Sequence, residues 1–317
     1  MEGLREGITF RWLQLIKLAL SFVLFIYDME FLDMILGIDP NFIVIGLIAI
    51  FFSLEQVSQS PVNFKKRIHH LFHNLLFQVI LVGLNVFFVT FQVFSIEWLN
   101  EHHIGLLYLI ELPFWIKLFI SVALYDITAY WIHRGTHVIP LLWRFHRVHH
   151  SDTSMDASTV FRFHPFELIL VFGMGNILTA ALFGTDVLSM AVYYLFLYVF
   201  FFFEHANLTY PKWLNSTIGL IFVMPDHHRV HHQQDQYYTD SNYADIFIVW
   251  DRIFGTFKTM PAQKNKYGLM EFDEDKKQTF LFLIKSPFLN IKRITIDGEK
   301  GISRNKKTPL EQQNSDN

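Results

Sequence analysis

Apolar runs without a single charge recur along this chain at the lengths a lipid bilayer demands. They cover 18–27, 41–54, 75–96, 168–185 and 187–203. A helix needs about 20 apolar residues to cross the hydrocarbon core. The run 75–96 meets that length, and the last two approach it. The first must extend back past Lys17, whose apolar stem can snorkel, and the second must tilt or continue past Glu55. A further apolar helix, 112–132, carries Lys117 near one end and Asp126 near the other, and runs directly into His133.

The loops between these runs carry an orientation signal. Loops 28–40 and 97–111 contain Asp28, Glu30, Asp33, Asp39, Glu97, Glu101 and Glu111 with no Lys or Arg, whereas 59–74 contains Lys65, Lys66 and Arg67. Positive residues stay on the cytoplasmic side. That rule places the N-terminus, loop 59–74 and everything just after Ile132 in the cytoplasm. Only Asp186 separates the last two runs, which predicts a tight hairpin out and back. The segments 133–167 and 204–258 then lie on one side and can meet. No small-residue cleavage site follows the first run, so it reads as a retained anchor.

Composition agrees with a membrane bundle. Of 317 residues, 52% are hydrophobic and 35 are Phe, with a mean hydropathy of +0.28, too apolar for an ordinary soluble domain. A net charge of -3 and the lack of any base-reading motif exclude nucleic acid as a partner. With no cysteine, disulfides, thiolate-held haem, iron–sulfur clusters and thiol nucleophiles are all excluded. Any metal must be held by nitrogen or oxygen.

The 16 histidines supply the nitrogen, and they cluster. His133 and His137 stand in "HRGTH", His146, His149 and His150 in "HRVHH", and His228, His231 and His232 in a second "HRVHH". Spacings of three and four put side chains on one helix face. Eight such histidines exceed the four ligands of one structural zinc and suit two metals. His205, in "FFFEHANL" at the end of the last run, is a ninth candidate; His227 and His164 are further candidates outside the repeated spacing. His69, His70, His73, His102 and His103 read as solvated or interface histidines. No HExxH, no paired Glu-x-x-His helices, no phosphate loop and no dinucleotide fingerprint is present, so reducing equivalents must come from a partner. Imidazole-held redox iron at the mouth of a membrane bundle suits oxygen activation at an unactivated C–H bond of a lipid chain, although zinc fits imidazole nearly as well.

The motifs "DITAYWIHRGTH", "LLWRFHRVHHSDTSMDASTVFRFHPFE", "FEHANL", "PDHHRVHH" and "NYADIFIVWDRIFGT", spanning roughly 126–256, resemble the fatty acid hydroxylase and sterol desaturase superfamily of integral-membrane di-iron oxygenases. The resemblance implies two iron ions on His133, His137, His146, His149, His150, His228, His231 and His232, with His205 as a further ligand. It implies O2 as oxidant and electrons from NAD(P)H through a small redox protein at the cytoplasmic face, a b-type cytochrome or a ferredoxin with its reductase. Asp126 orients a histidine from behind or is a buried structural carboxylate. Arg147 and Arg229 are solvated loop charges or contacts to a redox partner or lipid head group. Asn242, Tyr243, Trp250 and Asp251 read as packing around the third histidine box.

The expected architecture is therefore an all-α polytopic bundle with a cytoplasmic histidine-rich helical cap holding a dimetal site. Segment 1–111 supplies N-terminal transmembrane helices, 112–258 the catalytic domain, and 259–317 a polar tail with an interfacial stretch at 280–288 and a disordered end at 303–317. The expected function is hydroxylation or desaturation of a lipid such as a fatty acyl chain or sterol, in the bacterial inner membrane or the endoplasmic reticulum. The competing reading is a divalent-metal-binding or transport protein, which predicts ionisable residues along several spans.

Overall fold

The computed structural model describes residues 37, 38, 40–57, 64–260 and 266–294. The first apolar run, 18–27, and the tail at 303–317 lie outside them. Among the described residues there is no strand beyond one isolated bridge between Gln233 and Tyr267.

Among the described residues, seven helices carry the architecture: α1 (Pro40–Val57), α2 (Phe64–Glu101), α3 (Phe114–Val138), α4 (Pro140–His150), α5 (Gly173–Phe183), α6 (Val187–His205) and α7 (Pro225–His231). Segments 66–109, 114–138 and 187–205 are long and apolar enough to cross a membrane, while 41–57 and 167–183 are shorter apolar helices. Large apolar side chains such as Phe87 and Phe94 stand exposed along α2, the sign of a lipid-facing surface. At 38 residues, α2 is about 57 Å long, well beyond the roughly 30 Å hydrocarbon core. Its early turns therefore extend past the bilayer and reach the histidine-rich end of the bundle.

Local chemistry places the breaks. Pro140 at the first position of α4 stops α3 from continuing and turns the chain into a cap helix. The expected hairpin forms at 184–186. Gly184 ends α5 with φ 74°, a left-handed conformation, and a Cβ there would stand 2.8 Å from the Tyr108 ring. The Asp186 carboxylate then accepts from the Ser189 amide at 2.8 Å and caps α6. Before α5 the chain runs through a π-helical turn, Glu167–Phe172, a feature that often accompanies functional sites.

A buried ionic network locks α2 to the loop after α4. Arg67 pairs with Glu55 and His70 with Asp152, while Glu55 accepts from the Ala157 and Asn207 amides at 2.9 and 2.6 Å. Burial alone would raise the Asp152 pKa, yet the His70 and Arg162 charges hold it well below the usual carboxylate range. His70 thus has a structural place in a buried ionic network, rather than the solvated or interface position expected of it.

The segment 266–294 does more than trail as a polar tail. Short turns at Phe280–Leu283 and Ser286–Phe288 pack Leu283 against Phe77, Trp143, Val148, Leu269 and Phe272. Arg147 holds this segment in place, donating to the carbonyls of Ser286 at 2.5 Å and Ile291 at 2.9 Å. It is buried, which corrects both surface roles expected for it. Its position beside a histidine gives no hint that its partners lie some 140 residues away. Arg229 likewise turns inward, donating to the carbonyls of Ala206 and Leu208 at 3.0 and 2.6 Å. Replacing Arg147 by Ala leaves these carbonyls without their charged donor and is expected to cost about 3 kcal/mol. Limited proteolysis should then cleave within 280–294 much faster than in the parent protein; an unchanged cleavage rate would remove this role.

Candidate metal centre

Nine histidines converge at one end of the bundle and separate into two groups. His133, His137, His146, His150 and His231 form one; His149, His205, His228 and His232 form the other. Within each group the candidate ligand nitrogens lie within 4.8 Å of one another, and every ring is buried. The set is the one expected from sequence, with His205 included.

Helical periodicity explains the division. Residues four apart share a face and adjacent residues point about 100° apart. On α4, His146 and His150 turn to the first group and His149 to the second. α7 reverses the ratio: His228 and His232, the latter just past its end, turn to the second group and His231 to the first. α3 supplies His133 and His137 to the first group, and α6 supplies His205 to the second. Each HRVHH box therefore serves both groups.

The donor geometry fits metal ions. In the first group the Nε2 atoms of His133 and His146 are 3.1 Å apart, those of His146 and His150 3.0 Å, and those of His133 and His231 3.0 Å. In the second, His149 to His205 is 3.2 Å, His205 to His228 3.0 Å and His228 to His232 3.0 Å. The Nδ1 atoms of His133, His146 and His231 face oxygen acceptors, namely the Tyr243 carbonyl at 2.8 Å, Glu167 at 2.6 Å and the Ser241 carbonyl at 2.6 Å. Those partners assign the proton to Nδ1, leaving bare Nε2 lone pairs facing one another at contact distance. Such an arrangement is repulsive without a cation between them. Two nitrogens each about 2.1 Å from a shared ion stand roughly 3.0 Å apart at a right angle, which matches the observed edges.

Electrostatics keeps the rings ready to bind. Burial, reinforced by neighbouring histidines, pushes the pKa of His146, His149, His150, His228, His231 and His232 well below the ordinary imidazole value. Neutral imidazole is the metal-binding form.

Four carboxylates stand behind the rings: Glu167 at His146, Asp240 at 3.3 Å from His137, Asp245 at 3.5 Å from His133, and Glu204 at 3.7 Å from His228. Such partners fix ring orientation and raise ligand basicity. Sequence reasoning missed all four. Glu204 was discoverable, as an acid at the end of a run of phenylalanines needs a buried partner, and Glu167 and Asp245 lie within the quoted motifs; Asp240 sits in a loop that carries no signal.

A small cavity opens between the groups, lined by His133, His146, His149, His205 and His228, by Phe163, Phe172 and Phe201, and by Asp245. His149 stacks on Phe163 with ring centroids 3.9 Å apart.

Asp126 touches no histidine. Its carboxylate accepts from the amides of Ile246 and Phe247 at 3.1 and 3.0 Å and from the Trp250 indole at 2.8 Å. The hydrogen bonds support the structural reading of this residue. Asp251 grips the preceding amides, Tyr243 and Ala244, at 2.8 and 2.9 Å. Together the two acids fix the turn that presents the Tyr243 carbonyl and Asp245 to His133. His227 and His164 lie outside both groups: His227 Nδ1 accepts from the Met224 amide, and His164 joins the Phe166 amide to the Ile284 carbonyl.

Comparison with known proteins agrees with this geometry. Residues 118–256 match the fatty acid hydroxylase family. Alkylglycerol monooxygenase from Homo sapiens is 33% identical over 162 residues, covering 49% of this chain and 33% of that protein. The ornithine lipid hydroxylase OlsE of Rhizobium tropici is 26% identical over 152 residues, covering 47% of this chain and 44% of that one. The fatty acid hydroxylase vlmA of Lecanicillium sp is 31% identical over 166 residues, covering 47% and 45%. These matches span between a third and a half of the relatives' own lengths. No solved structure matches this chain.

Proposed function

We propose, because residues 118–256 match the fatty acid hydroxylase family, that the chain is a membrane lipid hydroxylase that inserts one atom of O2 into a C–H bond of a lipid chain. The overall reaction is R–H + O2 + 2 e⁻ + 2 H⁺ → R–OH + H2O, with the electrons delivered by a separate redox protein. Two ions, iron in the working enzyme, are held by His133, His137, His146, His150 and His231 and by His149, His205, His228 and His232. When bound, redox iron supplies the O2 activation that an all-imidazole donor set without thiolate permits.

The single observation that carries this reading is the pair of buried imidazole groups whose Nε2 atoms face one another beside an aromatic-lined cavity. The residues of the chain have definable tasks around it. The Nδ1 partners hold the rings in register. Phe163, Phe172 and Phe201 keep bulk water from the cavity, so that a reactive centre there meets substrate rather than solvent. Helices facing the bilayer let an alkyl chain approach without leaving lipid. The curated relatives act on alkylglycerols, ornithine lipids and fatty acids according to their names, and what these share is a lipid chain. The acidic outer loops and basic 59–74 loop support a cytoplasmic histidine cap. The transport alternative needs ionisable groups along the spans, whereas in the described spans Asp126 and Glu204 lie toward the histidine end and Glu97 and Glu101 at the opposite end of α2, with the apolar stretch 75–96 between free of charge.

The test is turnover of a lipid extract under ¹⁸O2 with a reductant and a redox partner. One ¹⁸O atom in a new lipid alcohol is expected. Loss of two hydrogens without ¹⁸O would make the protein a desaturase, and absence of any lipid product would overturn the reading.

A further inference from the structure

The two histidine groups are built differently in a way their ligand count alone does not convey. In the five-histidine group, His133, His146 and His231 have Nδ1 within 2.8 Å of an oxygen, and His137 has Asp240 at 3.3 Å; only His150 lacks an Nδ1 partner. In the four-histidine group the proportions reverse. His205 donates to the Phe201 carbonyl at 2.7 Å, but the Nδ1 atoms of His149, His228 and His232 are buried with no hydrogen-bond partner. Carboxyl groups within 4.0 Å of a ring nitrogen are divided the same way, with Glu167, Asp240 and Asp245 behind the first group and Glu204, beyond hydrogen-bond reach, behind the second. The second group also borders the cavity more fully, for three of its four rings line it against two of five in the first.

We propose, resting on the metal-binding reading above, that the two ions are held unequally. The His133, His137, His146, His150 and His231 site is the tight, permanently filled one. The His149, His205, His228 and His232 site holds a labile ion facing the cavity. The physical reason is twofold. A carboxylate beside Nδ1–H enriches the opposite nitrogen and strengthens its bond to the metal, and loss of such a partner typically weakens affinity 10–100-fold. Pinned rings also lose no orientational freedom on binding, whereas the unpinned rings of the second site must be ordered by the metal itself. With fewer protein donors and three rings lining the cavity, the second site would leave its ion the more accessible to a small molecule in that cavity.

The experiment is metal release from the full chain in detergent. Protein loaded with two Co(II) ions is mixed with excess chelator, and both the Co(II) spectrum and the metal remaining per chain are followed. Two phases are expected, the first removing one ion at least about tenfold faster than the second, with a one-ion species between them. Glu167→Gln should accelerate the slow phase by roughly 10–100-fold and leave the fast phase unchanged; Glu204→Gln should leave the slow phase unchanged. A single phase releasing both ions would overturn the proposal even from the parent protein alone, and so would a fast phase that responds to Glu167→Gln. Failure to take up any Co(II) would instead overturn the metal-binding reading on which it rests.

Discussion

Protein carrying Asp126→Ala should fold poorly and melt far below the parent, although the residue contacts no histidine. The change orphans two backbone N–H groups and one indole N–H, all satisfied by that single carboxylate. Each of the three buried donors left without an acceptor costs about 1–3 kcal/mol, so the sum, roughly 3–9 kcal/mol, is a large share of a typical folding free energy. The damage should spread to the metal centre, because the same turn presents the Tyr243 carbonyl to His133. Asp126→Asn keeps one acceptor oxygen and should fall between the two. Thermal aggregation of detergent-purified protein measures the effect. A melting temperature equal to the parent's would show that the turn is held by packing, with Tyr130, Val223 and Ile248 sufficient by themselves.

The largest functional effect is expected from His149→Ala combined with His150→Ala. Adjacent on α4, the two rings point into different groups, so one double substitution removes a candidate ligand from each. Loss of a directly coordinating nitrogen should exceed the 10–100-fold cost of losing an outer partner, and turnover should drop by more than about a hundredfold. The single variants separate the sites: His149→Ala should empty the cavity-side site and His150→Ala should weaken the other. Replacing either ring opens a hole in a buried cluster, so folding is checked through the melting temperature. His69→Ala, at an exposed position outside both groups, should leave turnover unchanged.

How much was legible beforehand follows from the range of the interactions involved. Spacings of three and four are local, so the nine converging histidines could be read from the boxes, and the 184–186 hairpin from one aspartate between two apolar runs. What could not be read was long-range. Arg147 looks like a surface charge until its acceptors at Ser286 and Ile291 are brought against it. Asp126 lies seven residues from His133 on nearly the same face, which suggested a contact; the turn at 246–250 intercepts it instead. The division of each HRVHH box between two sites is implicit in helical periodicity, but which ring joins which group depends on how α3, α4, α6 and α7 are set against one another. That arrangement is tertiary, and no local pattern encodes it.

The central claim is that the histidine groups hold two metal ions, and its most direct test is elemental analysis of protein purified from iron-supplemented cells, beside the His149→Ala, His150→Ala double variant. Two ions per chain in the parent and a clear loss in the variant are predicted. A parent protein that carries little or no metal, and that fails to take up iron under anaerobic reconstitution, would contradict the account.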